Sequence, residues 1–162
     1  MTRDAAPPSC ADIPIKPPWL LAAAAVVGIG LHAALRWTYT VDPEVEQWLS
    51  WGGYALTAIG GLLMLLANQQ FRNAGTNSDC GAADTALVTT GPYRFSRNPI
   101  YLSFAVIFIG CSMSSNAPAF AFSALPLVFS LYYFVIQAEE AHLAALFGVD
   151  YKAYAECVRR WV

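Results

Sequence analysis

The sequence predicts an all-α fold, a polytopic bundle of about four membrane-crossing helices followed by a cytoplasmic helical segment. Three observations lead there. Of 162 residues, 57% are hydrophobic and 12% charged, too apolar a balance for a soluble domain of this size to cover with polar surface. The apolar residues gather into uncharged runs long enough to span a bilayer, and the lysines and arginines fall between those runs with a bias to alternate connections. No internal repeat or biased segment argues for a second domain, so residues 19–162 are read as one membrane-embedded unit behind a flexible tail, residues 1–18, rich in proline.

The first run, Trp19 to Leu35, is uncharged, and as a helix it reaches roughly 30 Å once its flanking Arg36, Trp37 and Tyr39 are included. His32 lies inside it with no second ionisable group nearby, which fits a helix contact better than a proton carrier. Gly28-Ile29-Gly30 has no preceding strand, so it reads as helix packing and not as a dinucleotide loop. The second run, Trp48 to Ala67, carries Gly52, Gly53, Gly60 and Gly61 at a spacing that places them on one face, where a neighbouring helix can approach closely. From Asn98 to Ala138 no residue is charged. Ser114-Ser115-Asn116-Ala117-Pro118 breaks this stretch into a tight helical hairpin, spans three and four.

Arg3 and Lys16 precede the first span, Arg72, Arg94 and Arg97 lie between the second and third, and Lys152, Arg159 and Arg160 follow the fourth. These segments share one side, so both termini and the central loop are expected in the cytoplasm. Cys10, Cys80, Cys111 and Cys157 form no C-x-x-C pair and have no histidine cluster nearby, so neither a zinc site nor a disulfide framework is expected.

Two segments carry residues suited to chemistry. In the central loop, Gly75, Gly81 and Gly91-Pro92 permit turns that expose main-chain polar groups. Asn98-Pro99 then opens the third span, with Tyr101 in its first turn at the membrane boundary. Glu139-Glu140 follows the fourth span directly; adjacent carboxylates at such a boundary need water, a cation or hydrogen-bond donors. Beyond them, Gly148 reads as a helix stop and Asp150 as the N-cap of a last helix with Tyr151, Tyr154, Val158 and Trp161 on one face.

The strings Leu87-Val88-Thr89-Thr90-Gly91-Pro92-Tyr93-Arg94 and Arg97-Asn98-Pro99-Ile100-Tyr101, followed by Glu139-Glu140, Phe147-Gly148, Tyr151, Tyr154 and Arg160-Trp161, resemble the isoprenylcysteine carboxyl methyltransferase and phospholipid methyltransferase superfamily over about residues 71–162. The resemblance implies an integral membrane methyltransferase that uses S-adenosylmethionine. Thr85, Ala86, Leu87, Val88, Tyr93, Asn98, Pro99, Ile100 and Tyr101 would line the cofactor, and Glu139 and Glu140 would bind its polar or charged groups. No metal is implied. If the methyl acceptor is an amine or a thiol, Glu140 or Tyr101 is the candidate base. Many members have histidine at the position of Asn98; asparagine hydrogen-bonds but takes up no proton.

The prenylcysteine enzymes place an arginine where this chain has Val135, so the acceptor is expected to be a different lipophilic or small apolar molecule unless Arg94 or Arg97 supplies the charge. A nicotinamide-binding, sterol-reductase-like protein and a non-catalytic transport or assembly protein are the competing classes. No acid within the spans supports transport.

Overall fold

The computed structural model describes residues 16–75 and 86–162, and these are helical with no strand among them. In chain order they form α1 (Pro17–Leu35), α2 (Pro43–Asn73), a 3-10 turn (Gly91–Arg94), α3 (Pro99–Ser114), α4 (Pro118–Leu131), a π turn (Tyr132–Ile136) and α5 (Gln137–Cys157). Each of α1 to α4 opens on a proline, whose missing N–H would have no partner at a first helical position and whose fixed φ already suits a helix. Thr85, Cys10 and Cys80 lie outside the described residues.

Among the described residues, α1, α2 and the continuous run Pro118–Cys157 are long and apolar enough to cross a membrane. The 16-residue α3 is apolar but shorter. α3 sits between α2 and α4, and α1 packs on α4. The core between them holds Ala24, Tyr101, Phe104, Phe108, Leu127, Leu131, Val135 and Ile136. Large apolar side chains face outward along α1 (Val26, Ile29), α2 (Trp51, Leu62, Leu65) and α4 (Leu125, Phe129), as a bilayer solvent requires. Buried hydroxyls find backbone acceptors: Ser103 donates to the Ile100 carbonyl and Ser123 to that of Phe120 on their own helices, and Ser112 to that of Ala117 at the start of α4. No polar group is thereby presented to lipid unpaired at these positions.

The glycine pattern of α2 divides. Gly53 and Gly60 are buried against α3, where a Cβ would meet the Ser114 backbone and Ile107 respectively, whereas Gly61 faces open space and Gly52 makes only ordinary contact with Met113. Gly28 likewise packs on Phe120 and Ser123 of α4, while Gly30 meets nothing. The expected shared face is therefore narrower than the spacing suggested, because adjacent glycines are about 100° apart around a helix.

The hairpin between α3 and α4 falls at Ser115 to Ala117, with Asn116 in the left-handed region at φ 48°. Its side chain accepts from the Tyr39 N–H at 2.7 Å and donates to Glu46 at 2.7 Å, while the Tyr39 hydroxyl pairs with Ser112 at 2.8 Å. At the other end of the bundle the expected stop at Gly148 is a kink, with φ 53° and ψ −114°. Two helices meet at this break, so the expected stop and last helix are both present; the second is already helical at Val149 and Asp150 and ends at Cys157. Val158 is extended, and Trp161 reaches the bundle core from a non-helical segment.

Candidate active site

The polar residues singled out in the sequence meet at one end of the bundle, where the loop before α3, the first turn of α3, the start of α5 and the C-terminal segment come together. The loop is tied down first. Thr90 donates to the Gln70 side chain of α2 at 2.8 Å, and Gly91, at φ 60°, lies so close to Gln70 that any Cβ would collide with it. The backbone conformation favours glycine there, and a Cβ would also force the Gln70 side chain to shift. The 3-10 turn then delivers Tyr93 into a small apolar cluster with Ala67 and Val88, bordered by Phe71 and Ile100, its ring set edge-on to Phe71 at 5.3 Å. Tyr154, beyond the kink in α5, donates to the Tyr93 carbonyl at 2.7 Å. Burial, and after it the negative charge of Glu139, push the Tyr93 phenol well above the ordinary tyrosine range, so Tyr93 acts as a neutral aromatic wall. Ala86 and Leu87 are half-buried just before it.

The two adjacent acids diverge. Glu139 accepts the Tyr101 hydroxyl at 2.6 Å, a short charge-assisted bond joining the first turn of α3 to α5. Glu140 is gripped by Arg160 through two parallel bonds, at 2.8 and 2.7 Å, and Arg97 stands 3.6 Å from it. Hydrogen bonding to Glu140 raises the Arg160 guanidinium above its ordinary range, against a smaller opposing effect of desolvation. Arg160 also lies over the Tyr132 ring, 5.1 Å from its centroid. Repulsion between neighbouring carboxylates is thus answered by giving each its own donor.

The C-terminal segment forms a strap across the string Arg97-Asn98-Pro99. The Arg97 N–H donates to the Arg159 carbonyl at 2.9 Å, and the Arg160 carbonyl accepts from Ser96 and from the Asn98 side-chain amide, each at 3.2 Å. Asn98 is therefore a buried donor whose bond needs no proton transfer, which asparagine can make as well as histidine. Pro99 and Ile100 continue into α3, Pro99 buried and Ile100 half-buried. Of the residues expected at the site, Val88, Tyr93, Asn98, Pro99, Ile100, Tyr101, Glu139 and Glu140 all lie at this end. Sequence reasoning did not assign Ser96, Tyr132, Tyr154 or Arg160 to it. Tyr154 and Arg160 belong to the strings that carry the resemblance, but their local setting, a pair of arginines after an amphipathic stretch, fits a headgroup anchor equally well.

Val135, in the π turn one helical turn before Glu139, is fully buried in the apolar core beside the site, and Arg94 is exposed. A model of the phospholipid methyltransferase family matches residues 48–150. The chain belongs to that family. The phospholipid methyltransferase match takes in α2 from Trp48 onward, earlier than the loop on which the resemblance rested, and both Tyr101 and the acidic pair. It ends before Tyr151, Tyr154 and Arg160, so the strap itself comes from beyond it. Searches of curated proteins and of solved structures each returned no match. Membership in this family, with helices fit to cross a bilayer, makes the chain a membrane methyltransferase.

Proposed function

We propose that the protein transfers a methyl group from S-adenosylmethionine to a lipophilic or small apolar acceptor that reaches the site from the membrane. The observation that carries this reading is the Tyr101–Glu139 bond, which joins the R-N-P-x-Y string to the acidic pair in a chain of the phospholipid methyltransferase family. The residues at this end suit the cofactor's chemistry: carboxylates for cationic groups, guanidinium donors for a carboxylate, and the Val88–Tyr93 cluster for an aromatic base. When bound, S-adenosylmethionine supplies a methyl group made electrophilic by a cationic sulfur.

The protein's own contribution is alignment and exclusion of water. Glu139 and Tyr101 fix the cationic part, and the strap, held by Glu140–Arg160, closes the polar end. A carboxylate acceptor needs no base. For an amine or thiol, Tyr101 is the better placed of the two candidate bases, since it would take the acceptor's proton while passing its own hydroxyl proton to Glu139, whereas both Glu140 oxygens are occupied by Arg160. Ala86, Leu87, Val88, Tyr93, Asn98, Pro99 and Ile100 frame the cofactor on the loop side, and the loop and both termini lie in the cytoplasm.

Calorimetry of the purified protein with S-adenosylmethionine and with NADPH tests the cofactor, and mass spectrometry of extracted lipids tests transfer by a gain of one methyl group. Glu139→Ala and Tyr101→Ala should each weaken S-adenosylmethionine binding by about one to two decades while the protein stays folded in detergent. Binding of NADPH alone, or unchanged affinity in both variants, overturns the reading.

A further inference from the structure

The two arginines at the acidic pair are unequally used. Arg160 is the better bonded: two short parallel bonds hold both Glu140 oxygens, and its remaining terminal nitrogen approaches the Tyr132 hydroxyl at 3.4 Å. Arg97 is 15% exposed at its side chain and nearly without bonds. Nη1 makes one long contact, 3.4 Å, with the neutral Tyr151 hydroxyl. Nη2 stands 3.6 Å from a Glu140 oxygen already bonded to Arg160, and Nε is buried with no partner among the described residues. A guanidinium carries five donors and accepts nothing, so leaving one buried with a single marginal bond is costly. Its backbone, by contrast, is pinned by the Arg159 carbonyl, so the side chain is delivered to this place by the strap and does not simply drift there.

Both Glu140 oxygens are held by Arg160, so Arg97 is left with only a longer approach to the same carboxylate. We propose that Arg97 is the receptor for a small oxyanion, a carboxylate or phosphate carried by a ligand of this site, and that Arg160 is a positioning residue that keeps Glu140 from taking that role. An incoming oxyanion would meet the terminal nitrogen that now stands 3.6 Å from Glu140, and would gain the second, parallel bond of the guanidinium fork from the buried Nε once the side chains covering it shift. The exposed Arg94 cannot serve, since it points away to solvent, and Val135 offers only apolar surface.

Two ligands carry such a group: the amino-acid end of the cofactor, if the proposed function holds, and an anionic lipid headgroup. Calorimetry with S-adenosylhomocysteine and with methylthioadenosine, which lacks the carboxylate, separates the first. Native mass spectrometry in nanodiscs with phosphatidylglycerol against diacylglycerol separates the second. If the oxyanion is the cofactor's, Arg97→Gln should weaken S-adenosylhomocysteine about ten- to a hundredfold, leave methylthioadenosine unchanged, and recover in part as Arg97→Lys. If it is the lipid's, phosphatidylglycerol retention should fall in Arg97→Gln with diacylglycerol unaffected. Arg97→Gln that alters neither ligand, or that lowers methylthioadenosine and diacylglycerol equally with the melting temperature, overturns the proposal. A wild-type protein that binds neither nucleoside overturns the cofactor reading, while the lipid arm still decides the role of Arg97.

Discussion

The two ends of the bundle are both polar, and they are built on opposite terms. At the hairpin end, Asn116, Tyr39, Ser112 and Glu46 tie the α1–α2 connection to the α3–α4 turn, and each group of Asn116's amide has a partner. At the other end, full charges are concentrated, donors from separate segments converge on two adjacent carboxylates, and one guanidinium is left under-bonded. A saturated network serves to hold helices together. An unsaturated, charged one destabilises the resting protein and is retained where a ligand completes it.

The strongest test of that contrast is Glu140→Ala. It leaves Arg97 and Arg160 without their shared counter-ion and should cost about 2–3 kcal/mol, less than a fully buried pair because Arg160 is one-third exposed. The loss should be visible as a lower melting temperature in detergent, together with release of the strap, detected as faster hydrogen exchange of residues 158–161. Between the two ends, Gly53→Ala should destabilise by about 1–3 kcal/mol because its Cβ would strike the α3 backbone, while Gly61→Ala on the open side of the same helix should stay within about 1 kcal/mol of wild type. Equal melting temperatures for the two alanine variants would mean that α2 and α3 do not meet through Gly53.

At the hairpin end, Asn116→Gly keeps the left-handed backbone but removes both side-chain bonds, and should cost about 1–2 kcal/mol with S-adenosylmethionine affinity unchanged. A drop in affinity would show that the ends are coupled and that the contrast drawn above is too sharp. The smallest effect concerns Tyr93. Because burial holds its phenol neutral in the folded protein, its contribution to stability is fully present below the unfolded-state value near 10 and is lost as the pH rises above it, since only the unfolded chain then releases the proton. Tyr93→Phe should flatten the alkaline fall in melting temperature above about pH 10, and an unaltered fall would assign it to other groups.

Much of this arrangement is legible in the sequence. The runs from Trp19 and Trp48, the break at Ser114 to Pro118, and Asn98-Pro99 as the start of α3 follow from hydropathy and from proline chemistry, which act over a few residues. What resists reading depends on three-dimensional closure. Nothing local distinguishes Gly53 from Gly52, since only the position of α3 decides which is buried. Arg160 looks like a headgroup anchor until the kink at Gly148 and the extended Val158 bring it back onto Glu140, twenty residues earlier in the chain. The π turn leaves no compositional trace, yet it sets Val135 and Ile136 inward just before the acids.

The lengths of neighbouring helices differ greatly. At about 1.5 Å per residue, α2 extends about 46 Å, the path from Pro118 to the kink at Gly148 about 45 Å, and α3 between them only about 24 Å. A bilayer core is about 30 Å thick, so α3 falls short of it, and at its first turn, with Pro99 and Tyr101, a bilayer would have to thin or the polar end of the bundle reach below the headgroups. Under the proposed function, an amphiphile on that flank would come level with the acidic pair without leaving its leaflet, and the shortness of one helix would set the depth at which water-soluble and lipid-soluble reactants meet.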